Sequence, residues 1–206
     1  RKLFRQSFEG HEGRPGMVGG SLPKDGSTSS SIDLDKQAKT SMEQDSRIAG
    51  LYDTDMQQKN ASAIFTYKDE DYREINEGLR SGKGEEAGWQ VEYIDYEMKR
   101  AKKLPSDATV FRGVSSGSYN DLDVGDKFSD KAYTSTTFNL DFAKDYSGGS
   151  GGTVFIVDLP KGTRGIYTDN ILSRDESEFL LPRNSRFIVT EKFTDGKNKY
   201  IRIRKT

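Results

Sequence analysis

The sequence predicts an α+β domain preceded by a flexible arm. Two observations carry this. Of the eleven phenylalanines, ten tyrosines and one tryptophan, only Phe4, Phe8 and Tyr52 lie in the first sixty residues, so the core must be built mainly after them. The apolar period also changes at Pro105, from helical before it to strand-like after it. About two helices followed by roughly five to seven mostly antiparallel strands make an α+β fold.

The elements follow in order. Residues 10–31, "GHEGRPGMVGGSLPKDGSTSSS", are rich in glycine, serine and proline and bury too little apolar surface to offset their ordering entropy. "SIDLDKQAKTSMEQDSRIAGLY" predicts a short helix, with Ser31 or Asp33 as cap and Gly50 as stop. The arm is expected to run from residue 1 to 55 and the folded domain from 56 to 206. "DEDYREINEGLRSG" places Tyr72, Ile75, Asn76 and Leu79 at helical spacing, with Gly82 as the stop. "GWQVEYIDYEMKRAKKL" predicts a second helix through Trp89, Tyr93, Tyr96 and Leu104, with Val91, Ile94 and Met98 on flanking positions. "ATVFRGV", "DKFSDKAYTSTT", "TVFIVDL", "RGIYT", "ESEFLLPRNSRFIVTEKF" and "KYIRIRK" read as strands between turn residues, and "NLDFAKDYS" as a helical excursion.

Composition removes several classes of function. Lysine plus arginine (32) balances aspartate plus glutamate (33), so no global field draws the chain to nucleic acid or to a membrane surface. The absence of cysteine excludes disulfides, iron–sulfur clusters, cysteine-ligated zinc and a cysteine nucleophile. The single histidine, His11, sits in the glycine-rich stretch, which argues against a Ser-His-Asp triad or a multi-histidine metal centre. Acid–base chemistry is left to carboxylates, tyrosines and lysines, and no metal is expected. No apolar run approaches membrane-spanning length. The chain opens at Arg1 without a methionine or an apolar leader, which reads as a processed product or an excised piece.

Three short stretches carry chemistry. In "TVFRGV", Arg112 interrupts an apolar strand. On its own it reads as an exposed edge-strand residue, but its planar fork also suits a phosphate or carboxylate, and Gly113 would let a ligand approach the backbone. In "AYTSTT", four hydroxyl residues run from Thr134 to Thr137. They suit a solvent-facing strand, or a short hydroxyl that fixes a carboxylate's rotamer. In "ESEFLL", Glu176, Glu178 and Leu180 share one face if the segment is a strand. Two like charges on one face need a reason.

Together and in this order, Arg112, Ser135 and Glu176-x-Glu178 resemble the R-S-E signature of the arginine-type ADP-ribosyltransferases. "YREINEGLR" is similar to the Y-x-x-I-N-x-x-L-R helix that flanks the NAD pocket in bacterial toxins of this family. The resemblance covers about residues 61–204. It departs from the family at Thr137, where S-T-S is usual. The glycine-rich "GHEGRPGMVGGSLP" resembles a segment of bacteriophage head-associated proteins.

The resemblance implies a fold in which N-terminal helices pack on a mostly antiparallel two-sheet β core. It implies that NAD is a consumed substrate, cleaved at the nicotinamide–ribose bond through an oxocarbenium-like ribose. Glu178 would stabilise that cation and bond the ribose 2′-hydroxyl, Ser135 would hold Glu178, and Arg112 would clamp the pyrophosphate. Tyr72, Asn76, Gly113 and Thr136 would help seat NAD, and Phe142 would stack on nicotinamide. Glu176 would orient an acceptor arginine on a target protein and accept its proton. No nucleic-acid or membrane partner is expected. The implied setting is secretion or delivery into a target cell, or association with a virion. The rival expectations are an NAD glycohydrolase without a protein acceptor, a nucleobase-modifying enzyme, and a phage structural module with a degenerate transferase fold. No G-x-G-x-x-G follows a strand, which rejects a Rossmann reading.

Overall fold

The computed structural model describes residues 29–43, 55–114, 119–148, 151–171 and 175–206. His11, Gly50 and the glycine-rich segment lie outside the described residues.

The first helix, α1 (Ser29–Glu43), belongs to the folded domain rather than to the free arm expected up to residue 55. Ala38 and Met42, one helical turn apart, are 0% and 1% exposed and join the central apolar core. Polar ties fix the helix as well. The Asp35 carboxylate accepts from the Thr109 backbone N–H at 2.8 Å, and Lys102 Nζ donates to the Ser41 carbonyl at 2.8 Å. Met42→Ala should therefore lower the free energy of unfolding in urea by about 2 kcal/mol or more, as loss of a buried methionine does. A loss too small to measure would mean that α1 is peripheral.

A helical layer follows. It consists of α2 (Asp55–Thr66), a π-helical turn (Tyr67–Asp71), α3 (Tyr72–Arg80), a 3₁₀ turn (Gly84–Ala87) and α4 (Gln90–Arg100). Helix α2 has only a weak periodic signal because its buried face is small: Ala61, Ala63 and Ile64. α3 ends as expected. Gly82 adopts φ +89° and the Lys83 N–H returns to the Gly78 carbonyl at 3.0 Å. On α4 the expected face is reversed. Val91, Ile94 and Met98 form the buried stripe, while Trp89 and Tyr96 face outward at 54% and 44% exposure. The aliphatic positions interdigitate with Ile64, Ile75 and Leu79, and Trp89 stays outside in edge-on contact with Tyr93.

The strands are β1 (Ala108–Val114), β2 (Lys127–Asp130), β3 (Thr134–Thr137), β4 (Thr153–Leu159), β5 (Ile166–Tyr167), β6 (Glu178–Leu181), β7 (Ser185–Asp195) and β8 (Asn198–Lys205). They are hydrogen-bonded in the order β2-β7-β8-β4-β1-β3-β6-β5, antiparallel except for β4 with β8. Two expected long strands are each bent in two. Asp130 pairs with Ser185, and Thr134 pairs with Leu181, four residues on and four back. One antiparallel ladder thus keeps its register across a corner at residues 131–133 and 182–184. One half of it belongs to a five-stranded leaf and the other to a three-stranded leaf. Pro182 lacks the N–H a ladder needs, and Asn184 adopts φ +62°, so the corner falls there.

The two leaves meet again where Phe111 of β1 pairs with Thr137 of β3. Between them lies the central core, with Phe155, Val157, Phe179, Leu181, Phe187 and Ile203 among its members. The helical layer covers the outer face of the short leaf at Tyr133, Ile166 and Leu180. Helix α5 (Leu140–Tyr146) covers β4 and β8 through Ala143 against Val154, Ile156 and Tyr200. Strand β6 is buried on both faces, which is why its sequence runs apolar without alternation.

Candidate active site

A cavity of about 550 Å³ opens at the β1–β3 junction, between α3 on one side and α5 on the other. All nine residues singled out in the sequence line it: Tyr72, Asn76, Arg112, Gly113, Ser135, Thr136, Phe142, Glu176 and Glu178.

Glu178 is the most constrained of them. It is the first residue of β6 and is 9% exposed. Ser135 lies opposite Leu180, so it shares the face of Glu178 one step along the ladder, and its hydroxyl donates to Glu178 Oε1. Glu178 Oε2 accepts from Thr168 Oγ1 at 2.5 Å and pairs with Lys68 Nζ at 2.8 Å. The carboxylate is gripped at both oxygens.

Glu176 reaches the cavity by a different route from the one expected. It is not in the strand, because Asp175 and Ser177 both adopt φ +51° and break the alternation before β6 begins. The turn is held by Asp169, whose carboxylate accepts from the Ser177 N–H at 2.6 Å and from the Glu178 N–H at 3.4 Å. Thr137 Oγ1 donates to the Glu176 carbonyl at 2.6 Å. Side chains in the left-handed region carry a local cost, and these bonds hold them there. Glu176 Oε2 then lies 3.0 Å from Lys68 Nζ.

Lys68 is the element that sequence reasoning missed. It sits on the π-helical turn, its side chain is 5% exposed, and it also reaches Thr168 Oγ1 at 2.9 Å and Asp169 Oδ1 at 3.5 Å. Such turns commonly mark functional positions in helices. Burial alone would pull its pKa down, but the charge and hydrogen bonds of Glu178 and Glu176 outweigh it, and the net shift is upward. Its contribution to stability is therefore complete below an ordinary lysine pKa, 10.5, and is lost only as pH rises through the higher folded value. In "YKDED" a lone lysine among acids carries no periodic or motif signal. Thr168 and Asp169 open the acidic stretch "TDNILSRD" that precedes Glu176, and nothing in its composition singles them out.

The other residues divide into two kinds. Arg112 Nη1 donates to the Ser135 carbonyl at 2.8 Å, tying β1 to β3 at the cavity. Thr136 donates to the Phe179 carbonyl at 2.5 Å, a bond within the leaf. Gly113 serves packing: a Cβ there would fall on the Ala143 carbonyl oxygen and 2.8 Å from the Ser147 nitrogen. On the side where a Cβ would point, the close approach it permits is that of α5. Asn139 caps α5, accepting from the N–H groups of Asp141 and Phe142 at 3.0 and 3.1 Å. Phe142 stacks on Tyr146 at 6.5 Å.

Across the cavity, the Tyr72 hydroxyl is hydrogen-bonded to Tyr146 and accepts from Arg73 Nε at 2.9 Å. Those bonds lower its pKa. Asn76 donates to the Tyr67 hydroxyl at 2.9 Å, while its buried Oδ1 has no hydrogen-bond partner among the described residues. A buried acceptor left in that condition is costly unless something completes it. Among the described residues, no group of three or more histidines or carboxylates is placed to hold a metal ion. No described helix is long and apolar enough to cross a membrane.

Comparison with known proteins fits this geometry. Residues 35–206 match the ADP-ribosyltransferase exoenzyme family. The chain is 30% identical over 167 residues to the NAD(+)–arginine ADP-ribosyltransferase EFV of Enterococcus faecalis, a match that takes in 77% of this chain and 33% of that protein. It therefore spans about a third of the length of that relative. Among solved structures, Plx2a, an ADP-ribosyltransferase toxin of Paenibacillus larvae, superposes with a TM-score of 0.66 at 18% identity, over 86% of this chain and 96% of its own. C3stau2 of S. aureus, solved with NAD, superposes with a TM-score of 0.65 at 18% identity, over 85% and 95%. At such identities the two structures establish a shared fold.

Proposed function

Since this chain belongs to the ADP-ribosyltransferase exoenzyme family, we propose that it transfers ADP-ribose from NAD to an arginine side chain of a target protein and releases nicotinamide. The observation that carries the reading is the fixed carboxylate of Glu178, held at both oxygens beside Arg112 in one cavity. The name of the Enterococcus faecalis relative supports arginine as acceptor. The cavity suits NAD in size and donor set: it has the volume of a typical cofactor pocket, an arginine fork, and in Asn76 Oδ1 an acceptor without a donor.

In this reading the bond between ribose C1′ and the nicotinamide nitrogen breaks, and its electron pair goes to nicotinamide. The ribose is left as an oxocarbenium ion. A carboxylate already fixed where that charge appears favours the transition state over the ground state. Glu178 is that group, and Ser135, Thr168 and Lys68 keep it from turning away. The acceptor arginine then attacks C1′ through a guanidinium nitrogen and loses a proton. Glu176 orients the guanidinium and accepts that proton.

Asp169, Glu176 and Glu178 all face the ammonium of Lys68. In this reading two glutamates stand together because each meets its own cation during the reaction, Glu178 the ribosyl cation and Glu176 the guanidinium. We read the enzyme as a secreted or delivered effector, in keeping with Plx2a, which is a toxin.

Arg112 is read as the pyrophosphate clamp. Arg112→Ala should weaken NAD binding by about 1.5–3 kcal/mol, the range for a charge-assisted hydrogen bond. Calorimetric titration with NAD checks this, and unchanged affinity in a folded variant would remove Arg112 from the binding role.

A further inference from the structure

Resting on that reading of the site, we propose that Lys68 is a built-in competitor for the acceptor: its ammonium occupies Glu176 until an incoming guanidinium displaces it. Three observations support this. The first is the contact itself, 3.0 Å from Lys68 Nζ to Glu176 Oε2. The second is exposure. The side chain of Glu176 is 28% exposed, against 11% for Glu178 and 12% for Asp169, while Lys68 is 5% exposed. A cation entering from solvent reaches Glu176 first, and Lys68 already holds it from behind. The third is redundancy. Lys68 keeps Glu178 at 2.8 Å, Thr168 at 2.9 Å and Asp169 at 3.5 Å, so losing Glu176 leaves it with partners and no buried orphan charge.

The chemistry of the two cations sets the direction of exchange. An ammonium is a compact point charge, whereas a guanidinium presents parallel N–H donors that match both oxygens of a carboxylate. A guanidinium can therefore outcompete Lys68 at Glu176, while an amine offers nothing that Lys68 does not already supply. Lys68 thus lowers the affinity of the free enzyme for cations in general and sets a threshold that arginine passes. It acts through Glu176 and is a specificity-determining residue, not a catalytic one.

The test is a calorimetric titration of the full chain with agmatine, a small guanidino compound, at pH 8. It is run on wild type, Lys68→Met and Lys68→Arg. Lys68→Met should bind agmatine on the order of tenfold more tightly, because Glu176 no longer has a resident cation. Lys68→Arg, which keeps the charge, should not tighten. Affinity that is unchanged or weaker in Lys68→Met would overturn the proposal and leave Lys68 as a structural brace. If Lys68→Met does not fold, Lys68→Gln is titrated in its place and read the same way. Nicotinamide release from NAD by wild type, measured on the same preparation, separates the two levels. Its absence overturns the transferase reading, whereas release with unchanged agmatine affinity in the lysine variants overturns the role of Lys68 alone.

Discussion

Glu178→Gln is expected to lose nicotinamide release by on the order of 10²–10³-fold, the scale of removing one preorganised transition-state contact. The loss should appear in kcat with little change in KM for NAD, because the carboxylate is aimed at charge that develops only as the bond breaks. The surroundings make the substitution informative. Ser135 and Thr168 both donate to this carboxylate, and Lys68 faces it at 2.8 Å. Glutamine keeps the shape and two acceptor sites at one oxygen, but it presents an NH₂ to a donor at the other. Water and arginine both need the ribosyl cation, so hydrolysis and transfer should fall together. Steady-state assay of nicotinamide release, with circular dichroism to confirm folding, decides the matter. Activity within tenfold of wild type would remove Glu178 from the centre of the mechanism.

Gly113→Ala should be the most damaging small substitution in the sheet. The added methyl would overlap the Ala143 carbonyl and press on the Ser147 nitrogen, both backbone atoms of α5 and its C-terminus. Neither can swing aside as a flexible side chain does, so α5 must shift on β1. A cost of about 3 kcal/mol is expected, at the upper end for overpacking. The same shift would carry Phe142 and Tyr146 away from the cavity. Urea unfolding and NAD titration of one sample should both show the defect. A variant as stable as wild type would mean that α5 can move away from β1 without cost.

How much of this was legible in the sequence depended on the range of the interaction. Ile75, Asn76 and Leu79 announce α3 because helical spacing is local, and Gly82 ends it by a backbone rule that needs no partner. The strand at "ESEFLL" was readable by composition, but its start was not. Two left-handed residues, Asp175 and Ser177, precede it, and Asp169 holds the turn through the Ser177 and Glu178 N–H groups, which is a tertiary fact. Ser135 and Glu178 were found by motif, although 43 residues separate them, because their residue types carry the chemistry. Lys68 lies 100 residues before Thr168 and 110 before Glu178, and nothing near it in sequence points to them. The sequence places α1 in the arm because the segment is polar overall; Ala38 and Met42, which dock it on the core, are too few to raise it above its neighbours.

The central claim is that the two glutamates divide the reaction, Glu178 serving bond cleavage and Glu176 serving the incoming arginine. The most direct measurement is product analysis by mass spectrometry after incubating wild type and Glu176→Gln with NAD and agmatine. Wild type should yield ADP-ribosylagmatine and nicotinamide. Glu176→Gln should still release nicotinamide but yield free ADP-ribose, because water can capture the cation that Glu178 continues to stabilise. A Glu176→Gln variant that forms the agmatine adduct as well as wild type, or that loses hydrolysis as completely as Glu178→Gln, would contradict it.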